Sequence, residues 1–73
     1  MSKIETLLTR YDYKQDSEPA EDGVRYWHSS TYALPISIID SIWECTDGSK
    51  VSRGTGSRPA LRRLELAILR TVK

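Results

Sequence analysis

The side chains that most often carry out catalysis are scarce in this sequence. His28 is the only histidine and Cys45 is the only cysteine. Neither residue has neighbours typical of a nucleophile elbow or of an activated thiol. A lone histidine in a strand-like segment and a lone cysteine among apolar residues are more typical of packing or surface positions. The sequence therefore predicts a protein that is not an enzyme.

The ionisable side chains do not form the pattern of a metal or cofactor site either. The acids at Asp16, Glu18, Glu21 and Asp22 lack the alternating spacing around a glycine that a calcium loop requires. A single cysteine excludes an intrachain disulfide and the paired spacing of a metal finger. We expect no metal and no cofactor.

A glycine-containing segment at residues 53–58, Arg-Gly-Thr-Gly-Ser-Arg, leads into a predicted helix. Glycine amides and a helix start can approach an anion, but the segment lacks the ending of a nucleotide-binding P-loop. Nucleic-acid phosphates, an acidic protein surface and a flexible linker remain open as interpretations. The candidate residues for anion or nucleic-acid contact are Lys50, Arg53 and Arg58.

Helical spacing of apolar residues occurs near both ends of the chain. Ser2 and Glu5 form a capping-box pattern ahead of a helix predicted over residues 3–11. Ser57 and Pro59 suit the start of a second helix, predicted over residues 59–72. The apolar face of this second helix comprises Leu61, Leu64, Ala67, Ile68 and Val72.

The middle of the chain combines strand and helix patterns. Residues 24–32 alternate as one strand, with Trp27 on one side and Tyr26 and His28 on the other, and the segment near residues 50–52 is its expected partner. Residues 35–45 favour a helix, because an alternating pattern would place Asp40 among isoleucines. The alternative is a hairpin that turns at Asp47-Gly48.

Length bounds the architecture. With 73 residues and 8.3 kDa, the chain is expected to form one α+β domain over residues 1–73, mostly helical with a short strand or hairpin. Exposed loops are predicted at about residues 14–23 and 47–58. We find no apolar run that could span a membrane and no signal peptide pattern, so we expect a cytoplasmic protein without a membrane partner.

The net charge of +1 conceals a division of the chain. Residues 1–48 hold nine acids and four bases, whereas residues 49–73 hold seven bases and one acid. Two interpretations remain open: an interaction surface at the basic end, or neutralisation of one half by the other in the fold.

Two leucines of the second predicted helix, Leu66 and Leu69, fall among its bases and away from its main apolar stripe. Either another element covers them, or they are exposed within a basic surface. Arginine together with large apolar anchors is typical of protein interfaces. The predicted partner-binding residues are Arg62, Arg63, Leu66, Leu69, Arg70 and Lys73.

The small size, the absence of catalytic motifs and the basic region from Lys50 to Lys73 resemble the small bacteriophage proteins that bind host RNA polymerase. The resemblance implies a non-enzymatic transcription regulator in the bacterial host cytoplasm, which inhibits initiation and promotes antitermination. Its partner would be RNA polymerase, with nucleic acid secondary. The alternative is a nucleic-acid-binding regulator that uses the basic half of the chain.

Overall fold

The chain begins with a short helix whose first turn is closed by side chains. In the computed structural model, which describes residues 2–16 and 23–73, helix α1 spans Lys3–Arg10. The Ser2 hydroxyl oxygen accepts from the Glu5 N–H at 3.2 Å and its O–H donates to the Glu5 carboxylate at 3.1 Å. The predicted cap is confirmed, although the Glu5 carboxylate meets the Ser2 hydroxyl and not its amide. The buried face of α1 comprises Ile4, Leu7 and Leu8.

Five antiparallel strands form one sheet in which each strand pairs with its neighbours in sequence. The prediction of a mostly helical domain with a short strand or hairpin is therefore wrong, since strand is the more abundant structure in the described chain. The strands are β1 (Tyr13–Gln15), β2 (Arg25–Ser29), β3 (Ile36–Ile39), β4 (Ile42–Asp47) and β5 (Lys50–Gly54).

The predicted helix at residues 35–45 is instead the β3–β4 hairpin. Ile36 and Ile38 are buried on β3, whereas Trp43 and Cys45 are buried on β4. Asp40 does not interrupt this alternation, because it lies in the turn between the strands with a φ of 55°. The left-handed conformation is tolerated by aspartate better than by most side chains.

The alternative hairpin at Asp47-Gly48 is confirmed as the β4–β5 connection. Gly48 has a φ of 68° at the first position of a two-residue turn, where glycine avoids the steric cost of a side chain. The exposed loop predicted at residues 47–58 is therefore wrong in its first part, which contains all of β5.

The strand predicted in residues 24–32 is confirmed as β2, with Trp27 buried and with Tyr26 and His28 exposed. Its predicted partner near residues 50–52 is wrong, because β2 pairs with β1 and β3. The loop predicted at residues 14–23 begins within β1, and residues 17–22 lie outside the described residues.

Helix α2 spans Arg58–Leu69 and ends earlier than residue 72, with Arg70 as its C-cap. The last residues of the chain then run beside residues 31–33, where the Ala33 N–H donates to the Thr71 carbonyl at 2.8 Å. Val72 bridges to Tyr32 and is 62% exposed, so its predicted place on the apolar helix face is wrong. Neither helix of the described segments is long and apolar enough to cross a membrane.

The core lies between one face of the sheet and the two helices. Trp43 is completely buried at its centre and donates through Nε1 to the Thr55 carbonyl at 3.1 Å. Tyr13, on β1, donates to the Leu34 carbonyl at 2.6 Å, and its burial raises the pKa of its hydroxyl to about 12. The helix residues that close the core include Leu8, Leu64 and Ile68.

The absence of a side chain at Gly54 allows the indole of Trp43 to pack directly against β5. A Cβ at residue 54 would come within 2.8 Å of Trp43 Cζ2 and 2.9 Å of Ala60 Cβ. Neither neighbour can easily withdraw, because Trp43 and Ala60 are both buried. Strand β5 and the first turn of α2 therefore approach the indole as closely as a glycine allows.

We predict that Gly54→Ala lowers the free energy of unfolding by about 1–3 kcal/mol through overpacking. Urea titration followed by tryptophan fluorescence measures this loss. The control is Gly56→Ala, whose Cβ would meet Ile4 and Lys3 only at 3.9 Å. Equal stability of the two variants would contradict the tight contact between Gly54 and Trp43.

Candidate protein-binding surface

One side of α2 is solvent-exposed and mixes leucine with arginine. The helix buries Ala60, Leu64, Ala67 and Ile68. With 3.6 residues per turn, residues 62, 66 and 69 fall on the opposite side, residue 63 lies at the edge of this surface, and residue 70 is the C-cap that follows the last turn. We call this surface the α2 outer face, which comprises Arg62, Arg63, Leu66, Leu69 and Arg70.

Leu66 and Leu69 are the apolar centre of the α2 outer face. They remain 43% and 45% exposed, respectively, so no element of the described chain covers them. Each leucine retains nearly half of its surface for a partner to bury. The two positions are three residues apart, which places their side chains next to each other on the helix.

The arginines around the leucines are held by acidic neighbours but remain accessible. Arg62 lies 2.7 Å from the Glu65 carboxylate, and Arg70 lies 3.3 Å from that of Asp47. Both arginine side chains are 67% exposed. Because exposed ion pairs contribute about 0–1 kcal/mol, a partner's carboxylate can compete for these guanidinium groups.

Arg63 connects α2 to the sheet. Its guanidinium carbon lies 5.8 Å from the centroid of the Trp43 ring, and Nη2 donates to the Arg53 carbonyl at 3.3 Å. A cation over an indole face is stabilised by the ring quadrupole. Arg63 therefore helps to hold the helix against β5, in addition to lining the α2 outer face.

Lys73, the sixth predicted partner-binding residue, lies beyond the helix. Its Nζ donates to the Ser29 carbonyl at 3.3 Å and its N–H donates to the Thr31 carbonyl at 3.1 Å. The structure therefore brings four of the six predicted residues onto one helix, places Arg70 at the C-cap of that helix, and places Lys73 against the end of β2.

The three candidates for anion or nucleic-acid contact do not share one surface. Lys50 and Arg53 are three residues apart on β5, so their side chains point to opposite faces of the sheet. Arg53 forms an ion pair with Glu44 at 3.1 Å. Arg58 lies at the start of α2 and faces α1.

The two residues considered for catalysis lie at a core position, Cys45, and at a surface position, His28. Cys45 is buried, and this burial raises the pKa of its thiol, which disfavours the reactive thiolate. His28 is exposed on β2 and its Nδ1 contacts a carboxylate oxygen of Asp16. Within residues 2–16 and 23–73, no three His, Cys, Asp or Glu side chains are grouped to hold a metal ion.

Two surface features were missed by sequence reasoning. Ile39 and Ile42 face each other across β3 and β4, and each is 47% exposed on the sheet face away from the helices. They were missed because their segment was interpreted as a helix. The second feature is a groove of about 670 Å³ between α1 and α2, lined in part by Lys3 and Arg10.

Glu65 links the α2 outer face to this groove. The Tyr11 hydroxyl donates to its Oε2 at 2.8 Å and Arg62 donates to its Oε1 at 2.7 Å. The Tyr11 hydrogen bond and then the Arg62 guanidinium lower the pKa of the Glu65 carboxyl. The carboxylate therefore stays ionised at mildly acidic pH and keeps Arg62 in place.

Comparisons with known proteins leave this geometry as the main guide to function. No protein-family model matches the chain, and neither a curated protein nor a solved structure matches it.

We predict that Tyr11→Phe raises the pKa of Glu65 toward its ordinary value of 4.5, because the largest stabilisation of the carboxylate is removed. A ¹³C-detected titration of the side-chain carboxyl measures this pKa directly. A carboxyl whose pKa is lowered by folding stabilises the fold at pH values above its unfolded-state pKa, and this stabilisation is lost as the pH falls through its folded-state pKa. The free energy of unfolding of Tyr11→Phe should therefore depend less on pH in acid than that of the native protein.

The matched control is Tyr26→Phe, which removes an exposed tyrosine hydroxyl from the opposite side of the sheet. An unchanged Glu65 pKa in Tyr11→Phe, or an equal change in both variants, would contradict the assigned hydrogen bond.

Proposed function

We propose that this protein is a non-enzymatic regulator that binds a large protein partner through the α2 outer face. The observation that carries the proposal is the exposure of Leu66 and Leu69 on one helical surface beside Arg62 and Arg70. Interfaces depend on a few apolar and arginine anchors that become desolvated, with a polar rim around them.

The two kinds of side chain have different roles in this proposal. The arginines attract an acidic patch of the partner and act mainly on the association rate. The leucines become buried on docking and act mainly on the dissociation rate. Burying the exposed half of a leucine contributes about 1 kcal/mol, so the pair supplies about 2 kcal/mol.

The proposed partner is the RNA polymerase of a bacterial host, in the host cytoplasm. Support comes from the resemblance to small bacteriophage regulators in chain length, in the absence of catalytic motifs and in the basic region at residues 49–73. Bound to the polymerase, the protein would inhibit promoter-dependent initiation and promote read-through at terminators.

The placement of the predicted nucleic-acid contacts, Lys50, Arg53 and Arg58, favours protein binding over nucleic-acid binding at these residues. Lys50 and Arg53 point to opposite sheet faces, and Arg53 is paired with Glu44. Binding of a nucleic-acid backbone would need several of these lysine and arginine side chains on one continuous surface. A nucleic-acid-binding regulator therefore enters the experiment as the competing outcome.

The test measures binding to purified bacterial RNA polymerase, with and without the σ subunit, by biolayer interferometry after nuclease treatment. Replacing both leucines, Leu66→Gln with Leu69→Gln, removes the apolar anchors without changing charge. Loss of about 2 kcal/mol corresponds to a Kd about 30-fold higher, mostly through faster dissociation.

The matched control is Ile39→Gln with Ile42→Gln, which removes a similarly exposed apolar pair from the opposite sheet face. Near-native affinity of this control supports the α2 outer face. An unchanged Kd for the folded leucine variant would contradict binding through the α2 outer face. Loss of binding after nuclease treatment would favour the nucleic-acid-binding regulator. In vitro transcription with each variant then tests initiation and read-through.

A further inference from the structure

The groove between α1 and α2 is built from two similar helical faces. The helices run in the same direction, since Lys3 lies near Gly56 at one end and Tyr11 bonds to Glu65 at the other. Each helix contributes residues at i, i+3, i+4 and i+7, which form one face. The lining comprises Lys3, Thr6, Leu7 and Arg10 of α1 and Arg58, Leu61, Arg62 and Glu65 of α2.

More basic than acidic side chains of the described residues line the groove. Four bases and one acid line it. Arg62 is paired with that acid, Glu65. Lys3, Arg10 and Arg58 form no ion pair with any residue in 2–16 or 23–73. Three cations without an ion pair to a described residue therefore line one cavity, although Arg10 also acts at longer range on the Glu65 carboxylate, and their fields attract an anionic partner.

Leucines, not aromatic rings, form the apolar part of the groove. Leu7 of α1 and Leu61 of α2 both line it, and Leu61 keeps part of its surface exposed. Single-stranded nucleic acids are bound mainly by basic grooves that include aromatic platforms for the bases. No aromatic side chain of the described residues lines this groove. The lining therefore favours an aliphatic anchor over a nucleobase.

From these observations we infer that the α1–α2 groove binds an acidic peptide segment of a protein partner, with one large aliphatic side chain between its carboxylates. The aliphatic side chain packs on Leu7 and Leu61, and the carboxylates bind Lys3, Arg10 and Arg58. Eight residues of α1 extend about 12 Å, so the groove contacts about four residues of an extended chain. This site shares Arg62 with the α2 outer face but does not use Leu66 or Leu69, and it does not depend on the identity of the partner of that face.

The probe is a fluorescein-labelled synthetic peptide, Asp-Glu-Asp-Leu-Glu-Asp-Glu, titrated with the native protein and followed by fluorescence anisotropy. We expect saturable binding that weakens as salt is raised, because exposed charges are screened. The same peptide with serine in place of leucine should bind at least threefold more weakly, since the aliphatic contact is lost.

Charge reversal within the groove tests its location. Arg10→Glu with Arg58→Glu should raise the peptide Kd at least tenfold, because two cations become anions. The control Lys14→Glu with Lys50→Glu makes the same change in net charge on the sheet, outside the groove, and should raise the Kd less than twofold. Circular dichroism and thermal unfolding confirm that each variant is folded.

NMR chemical-shift mapping on the native protein keeps the inference falsifiable if a variant fails to fold. Shifts concentrated at the amides of α1 and the first two turns of α2 support the groove. The inference is overturned by no binding at millimolar peptide, by shifts confined to the sheet face, or by equal losses in the groove and control variants.

Binding of a single-stranded oligothymidylate with the same charge as the peptide is measured in the same way, as the competing nucleic-acid ligand. Tighter binding of this oligonucleotide to the same amides would overturn the assignment to a peptide. Leu66→Gln with Leu69→Gln should leave the peptide affinity unchanged, so failure of the groove and failure of the α2 outer face are distinguishable.

Discussion

The position of α2 depends on the packing of Trp43 against Gly54 and Ala60. The indole is completely buried, and residue 54 has no room for even one further carbon beside it. Ala60 in the first turn of α2 is thereby fixed against β4 and β5, which also fixes the rotation of the helix. Leu64, Ala67 and Ile68 must then face inward, whereas Leu66 and Leu69 must face solvent. Both the α2 outer face and the α1–α2 groove follow from this single docking.

The division of charge along the chain has two consequences in the folded protein. Arg53 and Arg70, from the basic half, pair with Glu44 and Asp47 from the acidic half, so the halves partly neutralise one another. These pairs lie near the sheet and stabilise the helix only weakly, because they are exposed. Three of the four cations of the α1–α2 groove, Lys3, Arg10 and Arg58, form no ion pair with a described residue, so a positive surface remains available for an acidic partner.

Much of the local structure was readable from the sequence, but the way the elements assemble was not. The Ser2 cap, the alternation around Trp27 and the two-sided character of α2 each depend on near neighbours in the chain. Residues 35–45 fit a helical pattern better than a single alternating strand, because one continuous strand would place Asp40 among the isoleucines. The turn at Asp40, with its positive φ, decides between them, and nothing in the spacing reveals that turn. The repeated i, i+3, i+4, i+7 faces that line the groove are visible in the sequence, but the parallel placement of α1 and α2 arises from tertiary packing.

The proposal that the α2 outer face docks on RNA polymerase is tested most directly by methyl cross-saturation in the complex. The protein is deuterated with protonated leucine and isoleucine methyl groups, and saturation is transferred from unlabelled purified polymerase. We predict strong intensity loss at Leu66 and Leu69 and little loss at Ile39 and Ile42, although all four side chains are similarly exposed in the free protein. Loss confined to the isoleucines, or no loss at either pair at saturating polymerase, would contradict it.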